Sequence, residues 1–338
     1  MSQNTFGSRP DIAAIVLTAA GLVLAIVLHL LPALFAGLLV HSLVHLLAPR
    51  IFGRKLNPAR ARILVVIVLT TIVLTLALIL VGGVTAFYRG DGMHVAHLLQ
   101  KMADIIDGAR ATMPAWVQDN LPADADALKD EAAKWLREHA AELRKAGGEV
   151  GRGLAYALIG MVIGALVAVR EVEPLRAPGP LARALTRCAV LVEDAFRSVV
   201  LAQIQISALN TALTAIYLLL VLPAIGVHLP LTKTMIALTF VAGLLPIIGN
   251  LVSNSVIVVL SLSYSLPIAA GSLVFLVVVH KLEYFINARI VGSRINASAW
   301  ELLFAMLMME AAFGLPGVIA APVFYAYAKT ELVARKLV

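Results

Sequence analysis

Glu310 is the only charge inside LLFAMLMMEAAF, four positions before Gly314. An ionisable group in such a run is costly in lipid, so it ordinarily faces a cavity or a partner. The chemistry to expect of it is uptake and release of a proton or a monovalent cation, which is an ion-coupling role. A glutamate turned toward a neighbouring subunit, or bonded to a nearby turn, leaves the same signature. Glu283 is a second ion-coupling candidate, at the end of VFLVVVHKLEYF with His280 and Lys281. A helix end near the membrane interface also tolerates charge by snorkelling, and that is the simpler reading of this position.

Two stretches place glycine and proline inside otherwise apolar blocks. In GLLPIIGN, Pro246, Gly249 and Asn250 interrupt block 231–262; in FGLPGVIAAP, Gly314, Pro316 and Gly317 interrupt block 300–328. Asn250, Ser253 and Asn254 follow the first break, where free amides at a half-helix N-terminus suit a small polyhydroxylated or anionic ligand. Capping the second half-helix would use the same groups. Asn210, with Gln203, lies on the preceding span and either faces the same cavity or bonds to a neighbouring helix. The candidate substrate-binding set is therefore Asn210, Pro246, Gly249, Asn250, Ser253, Asn254, Gly314, Pro316 and Gly317. His41 and His45 are one helical turn apart, with His29 earlier. No cysteine or nearby carboxylate in the sequence completes a metal site, and neither a metal nor a cofactor is expected. A P-loop glycine run, HExxH and GxSxG are all absent, so an enzyme is not expected either.

The elements that must position these residues are membrane helices. The 338 residues are 61% hydrophobic and 14% charged, against about 45–50% and about 25% in soluble domains. Segments 12–31 and 63–87 reach the ~20 residues needed to span a bilayer. The net charge of +7 comes from bases clustered in short loops, the pattern that orients a membrane protein, so no nucleic-acid partner is expected. The loop PRIFGRKLNPARAR has five bases and no acid; the positive-inside rule makes it cytoplasmic, with both chain termini on the same side. Residue 188 is the single cysteine, which excludes an internal disulfide.

Four regions follow. Residues 1–87 hold three transmembrane helices, the first two forming a hairpin at Pro32. Residues 88–152 read as a small extracytoplasmic insert with an amphipathic helix in LKDEAAKWLREHAAELRKA. Residues 153–198 hold a fourth span, a linker and an interfacial helix, with Leu181, Leu185, Cys188, Val192, Ala195 and Phe196 on one face and Arg183, Arg187, Glu193, Asp194 and Arg197 on the other. In the fourth span Gly160 and Gly164 permit close helix approach, in ordinary packing or in a dimer. Residues 199–338 hold two units, each a span followed by a broken block. The half-blocks, at about 20 Å, are too short for a ~30 Å core. Re-entrant hairpins would also put Lys281, Arg289 and Arg294 on the cytoplasmic side; continuous kinked spans are the simpler alternative. Two such units of opposite orientation resemble the inverted repeats of secondary transporters. The fold class expected is all-α, polytopic and transmembrane, with two re-entrant helical hairpins in the C-terminal half. Residues 243–255 and 310–322 are expected to approach each other in the membrane.

LPIIGNLVSNSVIVVLSL, LEYFINARIVGSRINASAWELL and FGLPGVIAAPVFYAYAK resemble segments of the autoinducer-2 exporter family, and the likeness extends from residue 11 to 329. It implies a bacterial inner-membrane transporter, a homopentamer with elevator-like motion of its hairpin part, which exports autoinducer-2 or exchanges sodium or lithium for protons. The chain departs from the family pattern at Ala288, Ser298 and Ala299, and at Glu310, Ala311 and Ala312, so substrate identity is not carried over. The expected partners are a small polar solute or a monovalent cation, the lipid bilayer and further copies of the chain. Three functions remain open: a solute exporter, a sodium (lithium)/proton antiporter, and a non-transporting oligomeric scaffold of the envelope.

Overall fold

The computed structural model describes residues 9–52, 57–89, 130, 133–135, 137–170, 178–229, 231–244, 248–262, 264–295 and 297–336, and the described residues contain no strand. Helices α1 (Arg9–Val27) and α2 (Leu31–Phe52) are joined by a tight turn in which His29 takes φ 58°. Pro32 sits in the first turn of α2, where a missing amide proton costs nothing. Helix α3 (Pro58–Arg89) covers the third apolar segment. Helix α4 (Ala140–Val169) carries the fourth, and α5 (Pro180–Ile216) runs on through a π-helical turn at Tyr217–Val221 to Ala224. The chain continues as α6 (Thr232–Gly243), α7 (Ile248–Leu262), α8 (Leu266–Ile295), α9 (Ala299–Phe313) and α10 (Leu315–Ala334).

Two expected boundaries are not helix boundaries. The helix that carries the fourth span begins at Ala140, because the amphipathic segment before it continues the same helix. The expected interfacial helix and the span after it are one element of 37 residues, about 55 Å long. No glycine or proline lies between Pro180 and Ile216, so nothing local stops the helix. Most of the insert, residues 90–129, and linker residues 171–177 lie outside the described residues.

Both interrupted blocks form helix–turn–helix pairs. Helix α6 packs along α7, and α9 along α10. At 12 and 15 residues, α6 and α9 reach about 18 and 22 Å, short of a ~30 Å core. Helix α10, with 20 residues, is longer than the expected half-helix. It carries Pro322 in its interior and continues past the apolar block to Glu331.

Backbone contacts divide the chain into two compact units. The first comprises Met1–Ala77, Gly147–Ala202 and Val291–Val338. The second comprises Leu78–Ala146 and Gln203–Ile290. The core of the first unit joins Leu22 of α1, Cys188, Val192 and Phe196 of α5, Leu302 of α9, and Val323 and Tyr327 of α10. Phe35 of α2 meets Phe196 with ring centroids 5.3 Å apart. The apolar face read for 181–198 is thus the buried one: Cys188, Val192, Ala195 and Phe196 are all buried. The core of the second unit gathers Tyr217, Leu222, Met235, Ile257 and Leu276. Outside these cores the helices stay apolar. Along α4, Leu158, Ile159, Val162, Ile163 and Leu166 are all more than half or nearly half exposed, as expected of a chain whose solvent is lipid. Among the described residues, α1, α2, α4 and the α5 helix extended to Ala224 are long and apolar enough to cross a membrane.

Helices α2 and α4 touch backbone to backbone. A Cβ built on Gly160 would fall on the Ala33 carbonyl, and one on Gly164 on the Gly37 carbonyl. The small residues at this spacing therefore serve a contact within the chain, between α2 and α4. Gly37 completes it from the other side, its own added Cβ lying 2.9 Å from the Gly160 oxygen.

Candidate functional site

In the second unit, the α6–α7 pair is closed by glycine. A Cβ on Gly249 would strike the Ala242 carbonyl, so only glycine lets the start of α7 lie on the end of α6. Breaking a helix leaves its last carbonyls without intrahelical donors, and in an apolar medium these must be satisfied. Helix α5 supplies two donors. Gln203 Nε2 donates to the Gly243 carbonyl at 2.7 Å, and Ser207 Oγ to the Phe240 carbonyl at 2.6 Å. Gln203 accordingly makes a bond between helices, one of its two sequence readings.

Asn210 is 3% exposed and Ser253 1%; both are hydrogen-bonded or otherwise engaged. Asn254 is half-buried on α7, one turn beyond Asn250. Pro246 and the side chains of Asn250 and Glu283 lie outside the described residues.

Sequence reading missed a buried polar chain in the same unit. Tyr217 Oη and Ser261 Oγ each bond to Ser272 Oγ at 2.8 Å, and Tyr217 stacks on Phe275 with centroids 4.0 Å apart. It ties the π-helical turn to α7 and α8. Isolated serines in apolar helices are the only signal the sequence offers for it.

In the first unit, the α9–α10 pair turns on Gly314, at φ 65° and ψ −150°, a region open essentially to glycine alone. Gly317 lets α10 lie on the Met309 carbonyl, and Pro316 occupies the first turn of α10, where it does no harm. Glu310 closes the last turn of α9 through its backbone, its carbonyl accepting the Gly314 amide at 2.7 Å. Its side chain is exposed on the outer face of α9, with Phe304, Leu307 and Met308.

The open end of this pair is clamped by charge. Ser298 and Glu301 form a capping box. Glu301 also accepts from Lys329 Nζ at 2.6 Å and Tyr325 Oη at 2.8 Å, both on α10. Further along α10, Glu331 is 5% exposed and carries two guanidiniums, Arg187 at 2.9 Å and Arg335 at 2.8 Å.

The structure thus places Gly314, Pro316, Gly317 and Glu310 in one unit, and Asn210, Gly249, Ser253 and Asn254 in the other. Among the described residues, no group of three His, Cys, Asp or Glu side chains is placed to hold a metal ion. His45 Nδ1 is turned to the His41 carbonyl at 3.0 Å.

Long apolar helices, an apolar exterior and two broken helix pairs define a polytopic α-helical membrane protein. The chain belongs to the AI-2E family of transporters, whose family model matches residues 12–334. No curated protein and no solved structure matches the chain. Family membership makes it a membrane transporter.

Proposed function

We propose that the chain is a secondary transporter that carries a small polar solute, of the autoinducer-2 kind, outward across the bacterial cytoplasmic membrane. Its termini face the cytoplasm, and it works as a homo-oligomer, a pentamer by family resemblance. The observation that carries this reading is the repeated unit: α5 followed by the α6–α7 pair, and α8 followed by the α9–α10 pair. Each turn is re-entrant in this reading and offers backbone polar groups within the membrane to a solute. The solute-binding groups in this reading are Asn210, Pro246, Gly249, Asn250, Ser253 and Asn254 in one unit, and Gly314, Pro316 and Gly317 in the other. Motion of the hairpin-bearing part is elevator-like.

Glu310 is the coupling group, with Glu283 as a secondary one. Support comes from the exposure of Glu310 among Phe304, Leu307 and Met308. A carboxylate on an apolar surface requires a neighbouring subunit, a proton or a cation to compensate it.

The test is flux in proteoliposomes under an imposed pH gradient, comparing autoinducer-2, sodium and lithium. Gradient-driven autoinducer-2 flux that is lost in Glu310→Gln supports the proposal. Flux of sodium or lithium alone converts it to cation/proton antiport, and no flux of any of the three overturns it. Survival of activity in both Glu310→Gln and Asn250→Ala, with loss only in assembly variants, favours the scaffold. Re-entrance is checked separately by a cysteine at Arg294 in a Cys188→Ser background: labelling only from outside refutes the hairpins.

A further inference from the structure

Within the first unit, α1, α2, α4 and α5 enclose an open groove of about 600 Å³, inside the ~300–1,000 Å³ range of pockets that hold drug-sized ligands. Its walls are apolar, with Leu34, Ile163 and Val190 among them, and its polar groups are Thr186, His41 and Glu193. Glu193 is one of the charges that the sequence places on the polar face of 181–198, yet here it turns to α2. Its Oε1 accepts from Ser42 Oγ at 2.8 Å and lies 3.1 Å from His41 Nδ1. Both side chains of the His41–Glu193 pair remain about one-quarter exposed, at 24% and 23%.

The charge balance of the groove is unusual. Its lining contains a carboxylate but no lysine or arginine. A neutral imidazole with its proton on Nδ1 suffices to make the bond to Glu193, and Ser42 adds a donor without adding charge. The carboxylate is therefore satisfied in hydrogen bonds while its negative charge has no permanent counter-ion on the walls.

A small hydrated cation would lose its water in so apolar a space and find too few oxygens to replace it. A lipid tail would fill the walls and leave the charge uncompensated. An organic cation with a bulky apolar body meets both requirements. We propose that this groove is a binding site for lipophilic monovalent cations, with Glu193 as the counter-charge and the α2–α4–α5 walls as the receptor for the apolar body. The groove lining shares no residue with the candidate solute-binding set, and the site does not depend on the transport proposal.

The probe is radiolabelled tetraphenylphosphonium, bound to the full-length protein purified in dodecyl maltoside, with neutral triphenylphosphine oxide as competitor. Saturable binding is expected, and triphenylphosphine oxide should compete poorly. Glu193→Gln keeps an oxygen for Ser42 and His41 while removing the charge, and should weaken binding about tenfold or more. Val190→Trp keeps the carboxylate and fills the groove; it should weaken binding by a similar factor, so the outcome does not hang on a single variant. Circular dichroism and gel filtration establish that each variant is folded. Unchanged affinity in both folded variants overturns the site. So does the absence of saturable binding, and so does equal competition by the neutral compound, which would mark an ordinary lipid-facing groove.

Discussion

Adding a single methyl group at Gly164 should destabilise the protein, although the same change at Gly151 on the same helix should stabilise it. A Cβ at Gly164 would lie 2.8 Å from both the carbonyl carbon and the Cα of Gly37, and closer still to its oxygen. These are backbone atoms, so no rotamer change relieves the clash and the helices must separate. Overpacking of this kind costs about 1–3 kcal/mol, against up to ~1 kcal/mol gained from the better helix propensity of alanine. The net expectation for Gly164→Ala is a loss of about 1–2 kcal/mol, set by the clash term. Gly151, on the same helix, has nothing within 4 Å of an added Cβ; there Gly151→Ala should gain up to ~1 kcal/mol from propensity alone. Equilibrium unfolding in mixed dodecyl maltoside and SDS micelles, followed by circular dichroism, measures both. Equal stabilities for the two variants, or a Gly164→Ala protein at least as stable as the parent, would refute the backbone contact between α2 and α4.

Three further outcomes follow from the helix pairs. Gln203→Leu should lose about 1–3 kcal/mol in the same unfolding assay, since the Gly243 carbonyl is left without its donor in an apolar surrounding; unchanged stability would show that another group serves it. Gly314→Ala should cost about 1–3 kcal/mol, because its φ of 65° with ψ of −150° excludes a side chain, and a loss below experimental error would contradict that turn. Glu301→Gln keeps an acceptor for Ser298 and Tyr325 but removes the charge paired with Lys329. Its cost should be small, as for other partly exposed pairs, and thermal melting should place Glu301→Ala below it because the cap is lost as well.

Much of this architecture is written locally. Gly249, Gly314 and Gly317 mark the two helix breaks because each meets a backbone atom or takes a backbone angle that a side chain forbids. Cys188, Val192, Ala195 and Phe196 show the buried stripe of α5 by spacing alone. What the sequence conceals depends on distant partners. Gly160 and Gly164 announce close approach but do not say to what, since Ala33 and Gly37 lie more than a hundred residues earlier. Arg187 and Glu193 look like the wet side of an interfacial helix, whereas Arg187 serves Glu331 and Glu193 serves Ser42 and His41. A charge that meets its partner across the fold has the same local pattern as one that meets water. The candidate site is legible to the extent that its turns are, because glycine and proline are readable. The outward turn of Glu310 and the burial of Asn210 are set by contacts that no local rule encodes.

The three hydroxyls of Tyr217, Ser272 and Ser261 have one property that amides and carboxylates lack. In both of their bonds either oxygen can be the donor, so the chain can be read from Tyr217 to Ser261 or back again without moving a heavy atom. Such a chain is ambidextrous. It holds the π-helical turn, α7 and α8 together while committing the interior to no permanent polarity, and a passing charge could reverse it by rotating protons alone. Ser272 is the pivot of both directions, so Ser272→Ala would silence them together, leaving Tyr217 and Ser261 as two separate orphans rather than a shortened chain.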